Sequence, residues 1–166
     1  QLYSVNQDMG DVEASLQKVA DAGYNVVETL GSPECFGLPA AEFKALCDSK
    51  GIKIVSTHTA IGMDPNDEEG VMNKWRAVFD GLKTMGAKYC VIPGFGLGSN
   101  LEELQGVCDY FNKVGKLAKE YGLLLGYHNH SHEYNVMDGQ VIWEYMIEHT
   151  DPECVFFQMD VFWTTK

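Results

Sequence analysis

The run Tyr127-His128-Asn129-His130-Ser131-His132-Glu133 sets three imidazoles and a carboxylate at the end of Gly122–Tyr127, a stretch that reads as a buried strand. Imidazole nitrogens and carboxylate oxygens are ligands for divalent metals, and they are also the acid and base groups that work near neutral pH. A second strand end of this kind follows at Gln158-Met159-Asp160-Val161-Phe162-Trp163. The separation of the two matches one strand-helix unit, so Glu133 and Asp160 are expected side by side on neighbouring strands. If the first strand runs through Asn129, alternation puts Tyr127 and Asn129 on one face and His128 on the other. His130 then falls at the rim, and Glu133 is expected to turn back over the mouth of the fold. His132 reads as the solvated member of the group.

Other polar residues also close apolar runs. A carboxylate finishing the strand Val155–Asp160 needs a metal, a cation or several donors nearby; Asp160 reads as a metal ligand or as a loop-capping Asp. Glu28 ends Asn25–Leu30 and suits either a substrate hydroxyl or an internal ion pair. His58 ends Lys53–His58 and suits either substrate contact or a satisfied place in the core. Trp163 offers a flat apolar platform for a sugar face or a packing surface. Gly94–Asn100 is rich in glycine but has no lysine, so it reads as a rim loop and not a phosphate cradle. The acidic loop Met63–Gly70 lacks calcium-loop spacing. No cysteine neighbours a histidine in sequence, which leaves thiol catalysis unsupported.

The elements that must position these groups repeat a simple pattern. A helical segment ends at a glycine, and a β-rich run follows at Gly23, Gly51, Gly86 and Gly122; glycine just past a helix takes the left-handed conformation at little cost. Strands are predicted at Leu2–Val5, Asn25–Leu30, Lys53–His58, Tyr89–Pro93, Leu123–Asn129 and Val155–Asp160. Helices are predicted at Asp11–Ala22, Ala40–Ser49, Val71–Met85, Leu101–Tyr121 and Val141–His149, with apolar positions recurring at three and four. Nearly continuous apolar strands alternating with helices imply a parallel sheet covered on both faces. No dinucleotide or P-loop motif follows the first strand. Polar residues contributed by many strand ends favour a (β/α)8 TIM barrel over a doubly wound sheet, which would gather them at one switch point. Six strands are fewer than the eight that close a barrel. The chain is therefore expected to belong to a longer protein or to be completed by a partner chain.

Composition narrows the classes further. The length of 166 residues is that of one domain, and 45% hydrophobic content is enough for a sizeable core. A net charge of −12 with pI near 4.7 disfavours nucleic-acid partners. The five cysteines are odd in number and form no CxxC, as for free thiols in a reducing compartment. No signal peptide and no apolar run near membrane-spanning length is present, so a cytoplasmic location is expected. The chain begins without Met, which suggests a trimmed N-terminus.

The pieces Gln1–Val5, Gly23–Glu28, Gly51–His58, Tyr127–Tyr134 and Gln158–Trp163 together resemble the sugar phosphate isomerase/epimerase family of xylose-isomerase-like TIM barrels, in a branch with a Tyr-His-Asn-His strand end. The resemblance spans the whole chain as one domain, 1–166, lacking the last strands. It implies one divalent ion (Mn, Mg, Co or Zn) held by two Glu, one Asp and one His from different strands. Glu133 and Asp160 match the first two positions, and the other ligands fall on later strands. It implies catalytic roles for Glu133 and His130, and substrate contact for Glu28, His58, His128 and Trp163. The implied reaction is proton abstraction next to a carbonyl through an enediolate, with the metal as Lewis acid and Glu133 as ligand and base in one. Sugar dehydration or cleavage of a keto-glycoside would start from the same step. A non-catalytic sugar-binding barrel and an endonuclease IV-like phosphodiesterase are the rivals. The expected partner is a small carbohydrate, with no nucleic acid, no membrane, and a homo-oligomer as the open possibility.

Overall fold

A computed structural model describes residues 1–166. Five parallel strands form the main sheet: β1 (Val26–Leu30), β2 (Lys53–His58), β3 (Tyr89–Ile92), β4 (Leu124–His128) and β5 (Val155–Gln158). Their order across the sheet is their order along the chain. Parallel neighbours need crossover connections, and these are supplied by α2 (Ala40–Ser49), α3 (Glu68–Met85), α4 (Leu101–Glu120) and α5 (Ile142–His149). A further helix, α1 (Val12–Asp21), precedes β1. Helix α2 packs on α3, α3 on α4, and α4 on α5. A doubly wound sheet would reverse its strand order at a switch point. This one never reverses, so it is the arc of a barrel.

The helices form where caps and apolar spacing agree. Asp67 caps α3, its side chain accepting from the Gly70 amide, and Glu68 and Glu69 sit in the positively polarised first turn. This cap starts the helix three residues ahead of the predicted Val71. At the other end Gly86, at φ 74°, breaks the helix in the left-handed conformation. The buried stripe Val71, Trp75, Val78, Phe79 and Leu82 faces the sheet and α4. Trp75 is fully buried, and its indole N–H donates to the Tyr110 hydroxyl at 2.6 Å, which in turn donates to the Ile61 carbonyl at 2.8 Å. The polar end of each ring is thereby satisfied inside the core. All five cysteines are free and buried.

The predicted first strand is not a strand. Leu2–Asp8 forms a 3-10 helix with an irregular Val5, and the Ser4 and Met9 amides bond back to the carbonyls of Gln1 and Asn6. Leu2 is buried and Tyr3 is 65% exposed. Leu2 and Val5 turn inward and Tyr3 and Ser4 outward, the three-residue period of a 3-10 helix, and here the local bonds replace a ladder. The sheet thus has five strands where six were expected. Asp160 also lies beyond its strand, at the N-cap of the short helix α6 (Val161–Thr164).

Candidate functional site

The register brings the strand ends together. Leu30 aligns with His58, His58 with Val91, and His128 with Gln158. Alternation then points Glu28, His58, His128 and Gln158 to the concave side, while Tyr127 and Thr57 are fully buried on the helix side. The strand ends at His128, one residue short of the predicted Asn129; Tyr127 and Asn129 are both fully buried, while His128 lines the cleft side.

These concave residues form one hydrogen-bonded line across the sheet. His58 Nε2 lies 2.9 Å from Glu28 Oε1 and 3.1 Å from Gln158 Oε1. The Gln158 amide donates to Glu28 Oε2 at 3.0 Å, and its oxygen lies 3.0 Å from His128 Nδ1. At the far end His128 Nε2 lies 3.6 Å from Asp160 Oδ2. Gln1 Nε2 approaches His58 Nδ1 at 2.6 Å. Burial raises the pKa of Glu28, but the hydrogen bond and positive charge of His58 outweigh it and hold the carboxyl at about 2. Burial, with His58 and His130 nearby, lowers the pKa of His128.

The line opens into a cleft of about 530 Å³, lined by His58, His128, His130, Asp160 and Trp163. The His130 ring stands edge-on to His128 at 5.2 Å and 5.4 Å from the Trp163 ring. Glu28 lies one layer below, lining a smaller cavity of about 320 Å³ with Gln158 and Ser56. It reaches the cleft through His58 and Gln158.

The two carboxylates expected to act as a pair sit differently. Asp160 caps α6: its Oδ1 accepts from the Phe162 and Trp163 amides at 2.9 and 3.2 Å. Its Oδ2 faces His128, and the side chain is 29% exposed. Its own amide donates to Asn129 Oδ1 at 2.8 Å, tying the β5 end to the β4 end. Glu133 is 0% exposed. It does not turn over the mouth of the fold. The 3-10 turn His132–Tyr134 folds it inward, where Oε1 accepts from the Tyr127 hydroxyl at 2.7 Å and Oε2 from the His130 amide at 2.9 Å. Burial and the Glu133 carboxylate push the Tyr127 hydroxyl far above its ordinary pKa, so it stays a donor. His132, half exposed, lies 3.4 Å from Glu133 Oε1.

A divalent ion needs several converging donors. No group of three or more His, Cys, Asp or Glu side chains is arranged to hold one. Asp160 Oδ2 and His128 Nε2 offer two donors at one point; the oxygens of Glu133 are engaged elsewhere. The residues of this chain therefore do not fit a complete metal site.

Sequence reasoning missed Gln158, Asn129 and Tyr127, the residues that connect the site. Gln158 was legible in principle, since it stands two residues before Asp160 and so shares the concave face of its strand. Nothing in the sequence marks Tyr127 as the partner of Glu133.

No curated protein matches this chain significantly. Two crystal structures of sugar phosphate isomerase/epimerases from Parabacteroides distasonis ATCC 8503 are similar to it over 99% of its length. One, at 31% identity and TM-score 0.90, is covered over 69% of its own chain; the other, at 25% and 0.89, over 68%. A D-psicose 3-epimerase from Clostridium cellulolyticum H10 shares the fold at 15% identity and TM-score 0.69, over 93% of this chain and 60% of its own. The family described as xylose isomerase-like TIM barrel matches residues 16–166. With an unreversed parallel sheet whose strand ends carry the polar residues, this chain belongs to the xylose isomerase-like TIM-barrel family.

Proposed function

We propose that this protein acts on a carbonyl sugar as an isomerase or epimerase, moving a proton next to the carbonyl through an enediolate. The observation that carries this reading is the continuous line from Glu28 to Asp160, ending in a cleft with acceptor atoms, imidazoles and an aromatic wall. A cleft of about 530 Å³ falls in the size range of small-molecule sites. Similarity to proteins named sugar phosphate isomerase/epimerase supports the substrate class.

Each residue has a part in this reading. Asp160 Oδ2 and His128 Nε2 accept hydrogen bonds from sugar hydroxyls. His130, on the rim, exchanges the proton, and Trp163 packs on an apolar sugar face. His58 meets substrate in the cleft, and Glu28 acts from the layer below through His58 and Gln158. Glu133 acts through His130 by holding its amide. Dependence on a divalent ion (Mn, Mg, Co or Zn) belongs to the proposal; such an ion, once bound, would supply Lewis-acid chemistry at the carbonyl. Asp160 is the donor this chain offers it, short of a full coordination sphere.

The acidic charge disfavours a phosphodiesterase acting on nucleic acid. No helix is long and apolar enough to cross a membrane, and the five free thiols suit the cytoplasm as location. The test is incubation with a panel of ketoses in D2O, with each metal supplied in turn. Deuterium at the carbon next to the carbonyl of at least one sugar is expected. No incorporation into any of them contradicts proton-transfer chemistry.

A further inference from the structure

The hydrogen-bonded line has a direction, set at its Glu28 end by a carboxylate that can only accept. Glu28 Oε2 lies 3.0 Å from one end of the Gln158 amide. An ionised carboxylate has no proton to give, so that end of the amide is the NH2 group. The opposite orientation fails twice: it would set the amide oxygen against a carboxylate oxygen, and it would set the NH2 group against His58 Nε2 at 3.1 Å. That nitrogen already donates to Glu28 Oε1 at 2.9 Å. The oxygen of Gln158 therefore faces His58 Nε2, whose single N–H it shares with Glu28 Oε1, and His128 Nδ1, which must donate to it.

We infer that Gln158 is a positioning residue that fixes the His128 ring as its Nδ1–H tautomer, so that Nε2 presents a bare lone pair to the cleft beside Asp160 Oδ2. A neutral imidazole carries one proton, and a donor at one nitrogen makes the other an acceptor. Two acceptors 3.6 Å apart then stand at one point of the cleft with no donor of this chain between them. Such a notch receives two neighbouring O–H donors of a polyol. It would repel a ligand that offers only acceptors there. Only this choice of ligand rests on the function proposed above; the tautomer is a property of the chain itself.

The measurement is long-range proton–nitrogen correlation NMR on protein labelled with 15N-histidine at pH 8, with His128 assigned by the signals lost in His128→Asn. The expected result is a pyrrole-type shift at Nδ1 and a pyridine-type shift at Nε2. In Gln158→Leu, which removes the acceptor, the two shifts should exchange in most of the population. Gln158→Glu keeps an acceptor oxygen and should restore the Nδ1–H form. A residue with only a packing role would leave the tautomer unchanged in all three proteins. A pyridine-type Nδ1 in the unmodified chain overturns the inference without any variant, as does an unchanged tautomer in Gln158→Leu. An Nδ1–H ring in a protein that exchanges no sugar proton supports this inference while refuting the sugar reading.

Discussion

The turn after β4 and the turn after β5 each carry a carboxylate, and the two have opposite surroundings. Glu133 is wholly buried, with one oxygen bonded to the Tyr127 hydroxyl and the other to the His130 amide. Asp160 spends one oxygen on capping α6 and keeps the other at the cleft. The difference lies in what each chain segment does with its backbone. At Asp160 a new helix begins, and its free amides claim one oxygen and leave the second exposed. At Glu133 a single 3-10 turn points the side chain inward, and both oxygens are taken by donors of the same segment. An acid near a strand end is thus available for chemistry only when the local donors leave one of its oxygens free at the cleft.

Glu133→Leu is the strongest way to break this comparison. It leaves the Tyr127 hydroxyl and the His130 amide without acceptors in a buried place, and a loss of about 3 kcal/mol is expected in urea denaturation. Stability close to that of the unmodified chain would show that the buried bonds are not what holds the turn. Tyr127→Phe removes one donor from a buried carboxylate and should cost about 2 kcal/mol by the same method.

A third prediction concerns acid. Glu28 is held at about 2 against an ordinary 4.5, so between those values the unfolded chain binds more protons than the folded one. The stability it contributes is fully present above about 4.5 and is lost as pH falls toward about 2. The contribution is on the order of 2 kcal/mol, and it should be absent from the acid branch of the stability curve of Glu28→Gln. Parallel acid branches for the two proteins would mean that Glu28 is not tied to His58 as described. Asp160→Asn sits at the small end for stability. An Asn side-chain oxygen still caps α6, so a change within about 0.5 kcal/mol is expected in the same denaturation.

Much of this fold is legible in the sequence because its signals are local. Glycine after a helix, apolar residues at three and four, and continuous β runs place β1 to β5 and α1 to α5 within a few residues. Leu2–Val5 misleads because four residues with apolar ends are too short to separate the three-residue period of a 3-10 turn from a strand. The concave residues Glu28, His58 and His128 follow from strand alternation. The state of Glu133 does not, because its burial depends on a hydroxyl six residues earlier and on the direction of one short turn. Gln158 was passed over because an amide carries no charge, although its two ends connect Glu28, His58 and His128.

The central claim is that the free oxygen of Asp160, beside His128, faces a sugar whose proton is moved. Deuterium incorporation from D2O into the responsive ketose, compared between the unmodified chain and Asp160→Asn, tests it most directly. The account predicts a loss of at least about 100-fold in exchange with stability almost unchanged. Exchange by Asp160→Asn at the rate of the unmodified chain would contradict it.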